Sequence, residues 1–157
     1  MTVTGVRRDA RSPADYIHAI YTPDRLAEAV AGADHVVVTL PGGTATASMF
    51  DARIFDAMKP GAYFYNVGRG SVVDEDELIR RLENGRLGGA ALDVFRREPL
   101  PDDSPLWTLE NVLVTPHMAG TTGDFGSRLV DLINENLRRY HTGEPLLNVI
   151  NLREEST

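Results

Sequence analysis

Ala62-Tyr63-Phe64-Tyr65-Asn66-Val67, halted by Gly68-Arg69-Gly70, is the stretch whose reading decides the fold. It is six uncharged residues, mostly aromatic or β-prone, and predicts a strand buried on both faces. The same sign recurs outward in both directions. Residues 35–40 (HVVVTL) stop at Pro41-Gly42-Gly43, residues 90–95 run into a long loop, and residues 111–115 (NVLVT) close on Pro116. Helical patterns lie between these runs. Residues 24–31 carry Leu26, Ala27 and Val30 at helical spacing, and residues 44–58 read as helix up to Pro60-Gly61. Residues 74–84 give the clearest helix: Asp74 caps it, Glu77 completes a capping box, Leu78, Ile79 and Leu82 form a stripe, and Gly85 ends it. A last helix is expected over 125–141, with Leu129, Leu132, Ile133 and Leu137 on one side. Residues 2–6 are β-prone, 7–15 read as loop, and 147–150 leave room for one more strand. Apolar strands alternating with helices predict an α/β fold, a doubly wound parallel sheet with helices on both faces.

Composition narrows the function. The 157 residues carry 16 basic and 23 acidic side chains, a formal charge of −7, which argues against nucleic acid or an anionic membrane as partner. Cysteine is absent, so disulfides and thiolate metal sites are excluded, and no metal site is expected. No apolar run approaches the roughly 18 residues of a membrane span. The start, Met-Thr-Val-Thr-Gly-Val-Arg-Arg, has no long apolar core and does not read as a secretory signal. A cytoplasmic protein is expected.

Ligands of open parallel sheets bind beyond the carboxyl ends of the strands. The segments leaving the four runs are therefore the ones to inspect. They hold Pro41-Gly42-Gly43, Gly68-Arg69-Gly70, the long loop with Glu98, and Pro116-His117. If the strands are parallel, an arginine, a carboxylate and a histidine converge on one edge. Taken singly, each has an ordinary reading as a turn residue, a solvated charge or a strand end; arriving together they favour a site. His18, His35 and His141 lack such company and read as structural, and Trp107 reads as a core anchor for the loop.

At these residues the sequence resembles the D-isomer-specific 2-hydroxyacid dehydrogenases, over roughly residues 33–151. Three motifs carry the likeness: Asn66-Val67-Gly68-Arg69-Gly70-Ser71 with Val73-Asp74-Glu75; Ala91-Leu92-Asp93-Val94-Phe95 running to Glu98-Pro99-Leu100; and Thr115-Pro116-His117-Met118-Ala119-Gly120. The resemblance implies an incomplete Rossmann-like sheet with a C-terminal helix. Residues 1–124 would form a partial dinucleotide-binding domain, and 125–157 would belong to the substrate-domain side. It implies hydride transfer between NAD(P) and a small 2-oxo or 2-hydroxy acid. Arg69 would hold the substrate carboxylate and polarise the 2-oxo group. His117 would exchange the proton, and Glu98 would pair with it and raise its pKa. Arg7, Arg8, Leu40, Pro41, Val67, Gly68, Asp93 and Gly120 would contact the cofactor, Asp93 near the nicotinamide carboxamide.

The sequence departs from the family pattern in three places. No G-x-G-x-x-G is present: Gly68-x-Gly70 follows a strand, but Val73 stands where the third glycine belongs. In the family that fingerprint precedes the segment matching residues 2–6, so the chain is expected to begin at the second strand and to lack a central one. Arg7 and Arg8 replace the acidic residue that would hold a ribose 2′-hydroxyl, which favours NADP over NAD. Gly42-Gly43 follows Pro41 where relatives often have a bulkier pair, and nothing in the sequence explains it. The competing reading is a non-catalytic truncated product serving as a binding or oligomerisation module. A formate dehydrogenase is disfavoured by Glu98-Pro99, where that branch resembles Gln-Pro. The expected partners are the acid substrate and either further copies of the chain or a missing N-terminal half.

Overall fold

The computed structural model describes residues 1–8 and 16–149. The chain falls into two compact units, Met1–His117 and Met118–Thr157.

In the first unit the strands are β1 (Thr4–Val6), β2 (Ala19–Tyr21), β3 (His35–Val38), β4 (Tyr63–Asn66), β5 (Gly89–Leu92) and β6 (Val112–Val114). They form two parallel sheets, β1-β2 and β3-β4-β5-β6. The sequence reading missed β2, which lies in a stretch, residues 16–23, that it left unassigned. Helices α1 (Leu26–Ala31), α2 (Ala52–Ala57) and α3 (Glu75–Glu83) all bury their apolar side against one face of the larger sheet. Leu26, Val30, Ile54, Phe55, Leu78 and Leu82 meet Val36, Val38, Phe64 and Leu92 there. Phe64 is fully buried and takes Phe50 and Phe55 edge-on, each with ring centroids 5.3 Å away. The other face carries His35, Val37, Tyr63, Tyr65 and Leu113, and Val37 and Leu113 are 62% and 63% exposed. The expectation of helices on both faces is thus met on one face only within this unit. β3 through β6 follow one another in a single direction across the sheet, and right-handed crossovers then put every connection on the same side.

Two helix readings need correction. The helix expected over 44–58 is only α2. Phe50 makes a parallel bridge to Val73, and Asp51 caps the helix by accepting a hydrogen bond from the Ile54 amide (3.0 Å), so the helix starts at Ala52. For α3, Asp74 accepts from the Glu77 amide (3.1 Å) as expected. The return half of the capping box is missing: the Asp74 amide donates to the Phe50 carbonyl, and the Glu77 carboxylate is held by Arg80 and Arg81. Trp107 is no core residue. It is 53% exposed, its Nε1 donating to the Pro101 carbonyl (2.9 Å), while its neighbour Leu106 is the buried anchor.

The second unit is built on α4 (Phe125–Thr142), which ends in a left-handed Gly143 (φ 71°) with Glu144 donating back to the Arg139 carbonyl (2.9 Å). Arg138 grips both Glu135 and Glu144, and Arg139 also holds Glu135. The strand expected over 147–150 does not form in its described part, 147–149. Leu147 spends both backbone groups on Asn136, donating to Oδ1 (2.8 Å) and accepting from Nδ2 (3.3 Å), so nothing remains for a ladder. Ile150 lies outside the described residues, as do 9–15 of the expected N-terminal loop.

Candidate active site

The larger sheet is extended past its strand ends. Val67 donates to the Val38 carbonyl, Asp93 to that of Asn66, and Thr115 to that of Leu92, each at 3.0 Å. These bonds hold residues 67–70, 93–98 and 115–117 along one edge, beside Leu40 and Pro41.

The turn bearing Arg69 is shaped by Asn66. Its buried carboxamide accepts from the Gly68 amide (3.1 Å) and donates to the Arg69 carbonyl (3.1 Å). Two close approaches then wedge the turn in place. A Cβ on Gly68 would stand 2.5 Å from the Leu40 carbonyl oxygen, and one on Gly70 would stand 1.9 Å from the Phe95 carbonyl. Only glycine fits at either place. These two glycines therefore let neighbouring strands' ends pack closely at the sheet edge. The Arg69 side chain is exposed and donates from its guanidinium to the Gly68 carbonyl (2.7 Å).

Phe95, on the far side of Gly70, donates its amide to Glu98 Oε1 (3.0 Å). The other carboxylate oxygen, Oε2, is 2.7 Å from His117 Nδ1. The hydrogen bond from His117, then that from the Phe95 amide, hold the Glu98 carboxyl below the usual glutamate range, and the Arg69 charge acts in the same direction. His117 has a positive φ of 50°, a region that non-glycine residues seldom occupy and that recurs at functional sites. Glu98 and His117 share a cavity of about 760 Å³ with Phe95, Leu100, Trp107 and Thr115. Beneath it the buried Asp93 accepts from the Thr115 hydroxyl (2.5 Å).

Arg69, Glu98 and His117, 48 positions apart at the extremes, therefore lie on neighbouring strand ends. Leu40, Pro41, Val67, Gly68 and Asp93 line the same edge, with Val67 43% exposed. Arg7 and Arg8 follow β1 and are exposed, while Gly120 falls in the second unit and is exposed there. An open edge with apolar Leu40 and Val67 above a buried carboxylate suits a flat, amide-bearing ring, so these residues fit a nicotinamide. Asn66 and Thr115 were not singled out as site residues. Both stood inside quoted motifs, but an uncharged side chain inside a strand reads as filler until its partners are known.

A profile described as D-isomer specific 2-hydroxyacid dehydrogenase, NAD binding domain, matches residues 1–119. The chain belongs to that family. The chain is 39% identical over 123 residues to hydroxyphenylpyruvate reductase from Plectranthus scutellarioides, covering 78% of this chain and 39% of that protein. It superposes on a D-isomer specific 2-hydroxyacid dehydrogenase family protein from Aeromonas salmonicida with a TM-score of 0.85 and 39% identity, covering 96% of this chain and 48% of that one. An NADPH-dependent glyoxylate/hydroxypyruvate reductase from Sinorhizobium meliloti, crystallised with NADP and sulfate, gives a TM-score of 0.84 and 31% identity, covering 96% and 48%. The chain thus spans less than half the length of each of these relatives.

Proposed function

We propose that this chain supplies the proton-exchanging and carboxylate-binding part of an NAD(P)-dependent reductase of 2-oxo acids. The observation that carries the reading is the 2.7 Å pair of Glu98 Oε2 and His117 Nδ1 on the strand edge that also presents Arg69. A carboxylate on Nδ1 fixes the ring and leaves Nε2 to face a substrate. In the reductive direction His117 gives the Nε2 proton to the developing alkoxide and keeps Nδ1–H on Glu98. Arg69 pairs with the substrate carboxylate through its planar fork and polarises the neighbouring 2-oxo group. A bound nicotinamide cofactor would supply the hydride, held by Leu40, Pro41, Val67, Gly68 and the Asp93 carboxylate. Arg7 and Arg8, at the end of β1, support NADP, because arginine at that place accommodates a 2′-phosphate.

In this reading residues 1–124 are part of the cofactor domain and 125–157 belong with the substrate domain. The exposed apolar side chains on β3, β4 and β6 support assembly, with further copies or with polypeptide matching the rest of its relatives.

The test is a chimera in which this chain replaces the matching half of the Sinorhizobium reductase. It should oxidise NADPH in the presence of glyoxylate or hydroxypyruvate. His117→Gln should lower turnover by a factor of about 10² to 10⁴. Unchanged turnover in that variant would overturn the reading.

A further inference from the structure

The peptide unit joining Phe95 to Arg96 is held at both ends by one short piece of chain. Its carbonyl lies against Gly70, so close that a Cβ there would stand 1.9 Å away. Its amide, on Arg96, donates to Glu75 Oε2 (2.9 Å). Gly70 and Glu75 are thus two arms of a single brace, residues 69–76. The brace is anchored between its arms. Val72 and Val73 are buried, Val73 bridges to Phe50, and the Asp74 amide donates to the Phe50 carbonyl (3.0 Å).

The held peptide unit in turn supports the Glu98–His117 pair. The Phe95 amide donates to Glu98 Oε1 (3.0 Å), and Glu98 Oε2 meets His117 Nδ1 at 2.7 Å. Two consecutive amides, those of Phe95 and Arg96, are therefore accepted by two glutamates, one from the loop itself and one from α3. An Arg96 amide without its acceptor frees the peptide unit to turn, and the Phe95 amide turns with it.

We propose, on the reading of Glu98 and His117 as the proton-exchanging pair, that Glu75 is a positioning residue for that pair, and that residues 69–76 fix its spacing from Arg69. A 2-oxo acid must meet Arg69 and His117 at once, and a misplacement of about 1 Å can cost a factor of about 10² in rate. Asp76 does not share the role. It forks onto the Arg96 guanidinium (2.7 and 3.1 Å), but both side chains are more than half exposed, and such pairs hold little. Glu75 also opens α3, where a negative charge suits the helix N-terminus. The two roles separate by sign. Loss of a negative charge can only favour the ionised form of Glu98, whereas loss of the Phe95 amide bond, which helps to depress the Glu98 carboxyl, raises its pKa.

The experiment is carbon-detected NMR of the Glu98 carboxyl, together with amide exchange, on the isotopically labelled chain. Glu75→Ala should raise the Glu98 pKa toward the ordinary range and speed exchange of the Phe95 and Arg96 amides at least about tenfold. Glu75→Gln, which keeps an acceptor oxygen without the charge, should restore both. Asp76→Ala, which removes a charge from the same helical turn, should change neither. Glu75→Asp, which keeps the charge and draws the oxygens back by one methylene, replaces Glu75→Ala should that variant fold poorly. In the reductase chimera, Glu75→Ala should lower kcat by a factor of about 10 to 10². An unmoved Glu98 pKa in Glu75→Ala overturns the proposal, as does an equal rise in Asp76→Ala. So does an undiminished kcat in a chimera that His117→Gln does slow. A chimera that His117→Gln leaves unchanged counts against the reading of the pair instead, and the NMR result stands without it.

Discussion

Gly70 and Phe95 meet backbone to backbone, so closely that a Cβ at position 70 would lie 1.9 Å from the Phe95 carbonyl carbon and oxygen. The Arg69 turn is thereby mechanically joined to the segment whose amide holds Glu98. Gly70→Ala should force the two apart and cost about 2 kcal/mol or more, a size typical of overpacking at a buried site. Gly43→Ala, where an added Cβ meets nothing within 4 Å, is the control and should stay within about 0.5 kcal/mol of the parent. Denaturant melts of the two variants make the comparison.

The Glu98–His117 pair has a definite pH signature. The Glu98 carboxyl titrates below the usual glutamate range, first because of the His117 bond and then because of the Phe95 amide. A carboxyl depressed by folding stabilises the native state above its unfolded pKa, and that contribution disappears as the pH falls through the folded value. His117→Ala should therefore raise the Glu98 pKa toward the ordinary range and move the acid loss of this contribution to higher pH. Carbon-detected NMR of the Glu98 carboxyl checks the direction, and a downward shift would contradict the geometry.

The aromatic centre of the core sets stability without touching the site. Phe64 is fully buried between Phe50 and Phe55. Phe64→Ala should cost about 3–5 kcal/mol by removing contacts and leaving a cavity. Urea unfolding is the measurement, and a loss below about 1 kcal/mol would mean the neighbours collapse into the space.

Glu135 and Glu144 are both drawn down to about 2, Glu135 chiefly by Arg138 and then Arg139, Glu144 chiefly by Arg138 and then Thr142. Arg138→Ala should raise both. The end of α4 should then fray at a higher pH than in the parent, since the pairing is lost as pH falls through the folded carboxyl values. Helix content followed through an acid titration shows whether it does.

The proposed role of Arg7 and Arg8 in cofactor choice has a direct test. In the reductase chimera, replacing both with uncharged residues should raise the KM for NADPH far more than that for NADH. Equal changes in the two would mean that the pair is only a solvated turn.

Much of this was legible because it depends on local chemistry. The run 62–67 announced a buried strand, and Asp74 announced the start of a helix. The convergence of Arg69, Glu98 and His117 followed once the strands were taken as parallel, since all their carboxyl ends then share an edge. The rest depended on partners distant in the chain. Phe50 leaves its helical pattern because Val73 bridges to it, and Leu147 leaves its strand pattern because Asn136 claims its backbone. Nothing in the spacing of Gly68 and Gly70 said that they lie against Leu40 and Phe95. In a motif reading, two glycines around an arginine signal a ligand; the structure adds that both also lie hard against neighbouring backbone.

Trp107, the sole tryptophan of the chain, stands half in solvent on the wall of the cavity that holds Glu98 and His117, its indole tied to the Pro101 carbonyl. The molecule thus carries its own optical reporter. A ligand entering that cavity changes the polarity around one indole and no other, so the emission colour of the unlabelled protein registers occupancy directly. A reduced nicotinamide brought to the same edge would absorb in the indole's emission band and quench it. Binding can then be followed by fluorescence alone, before any turnover is observed.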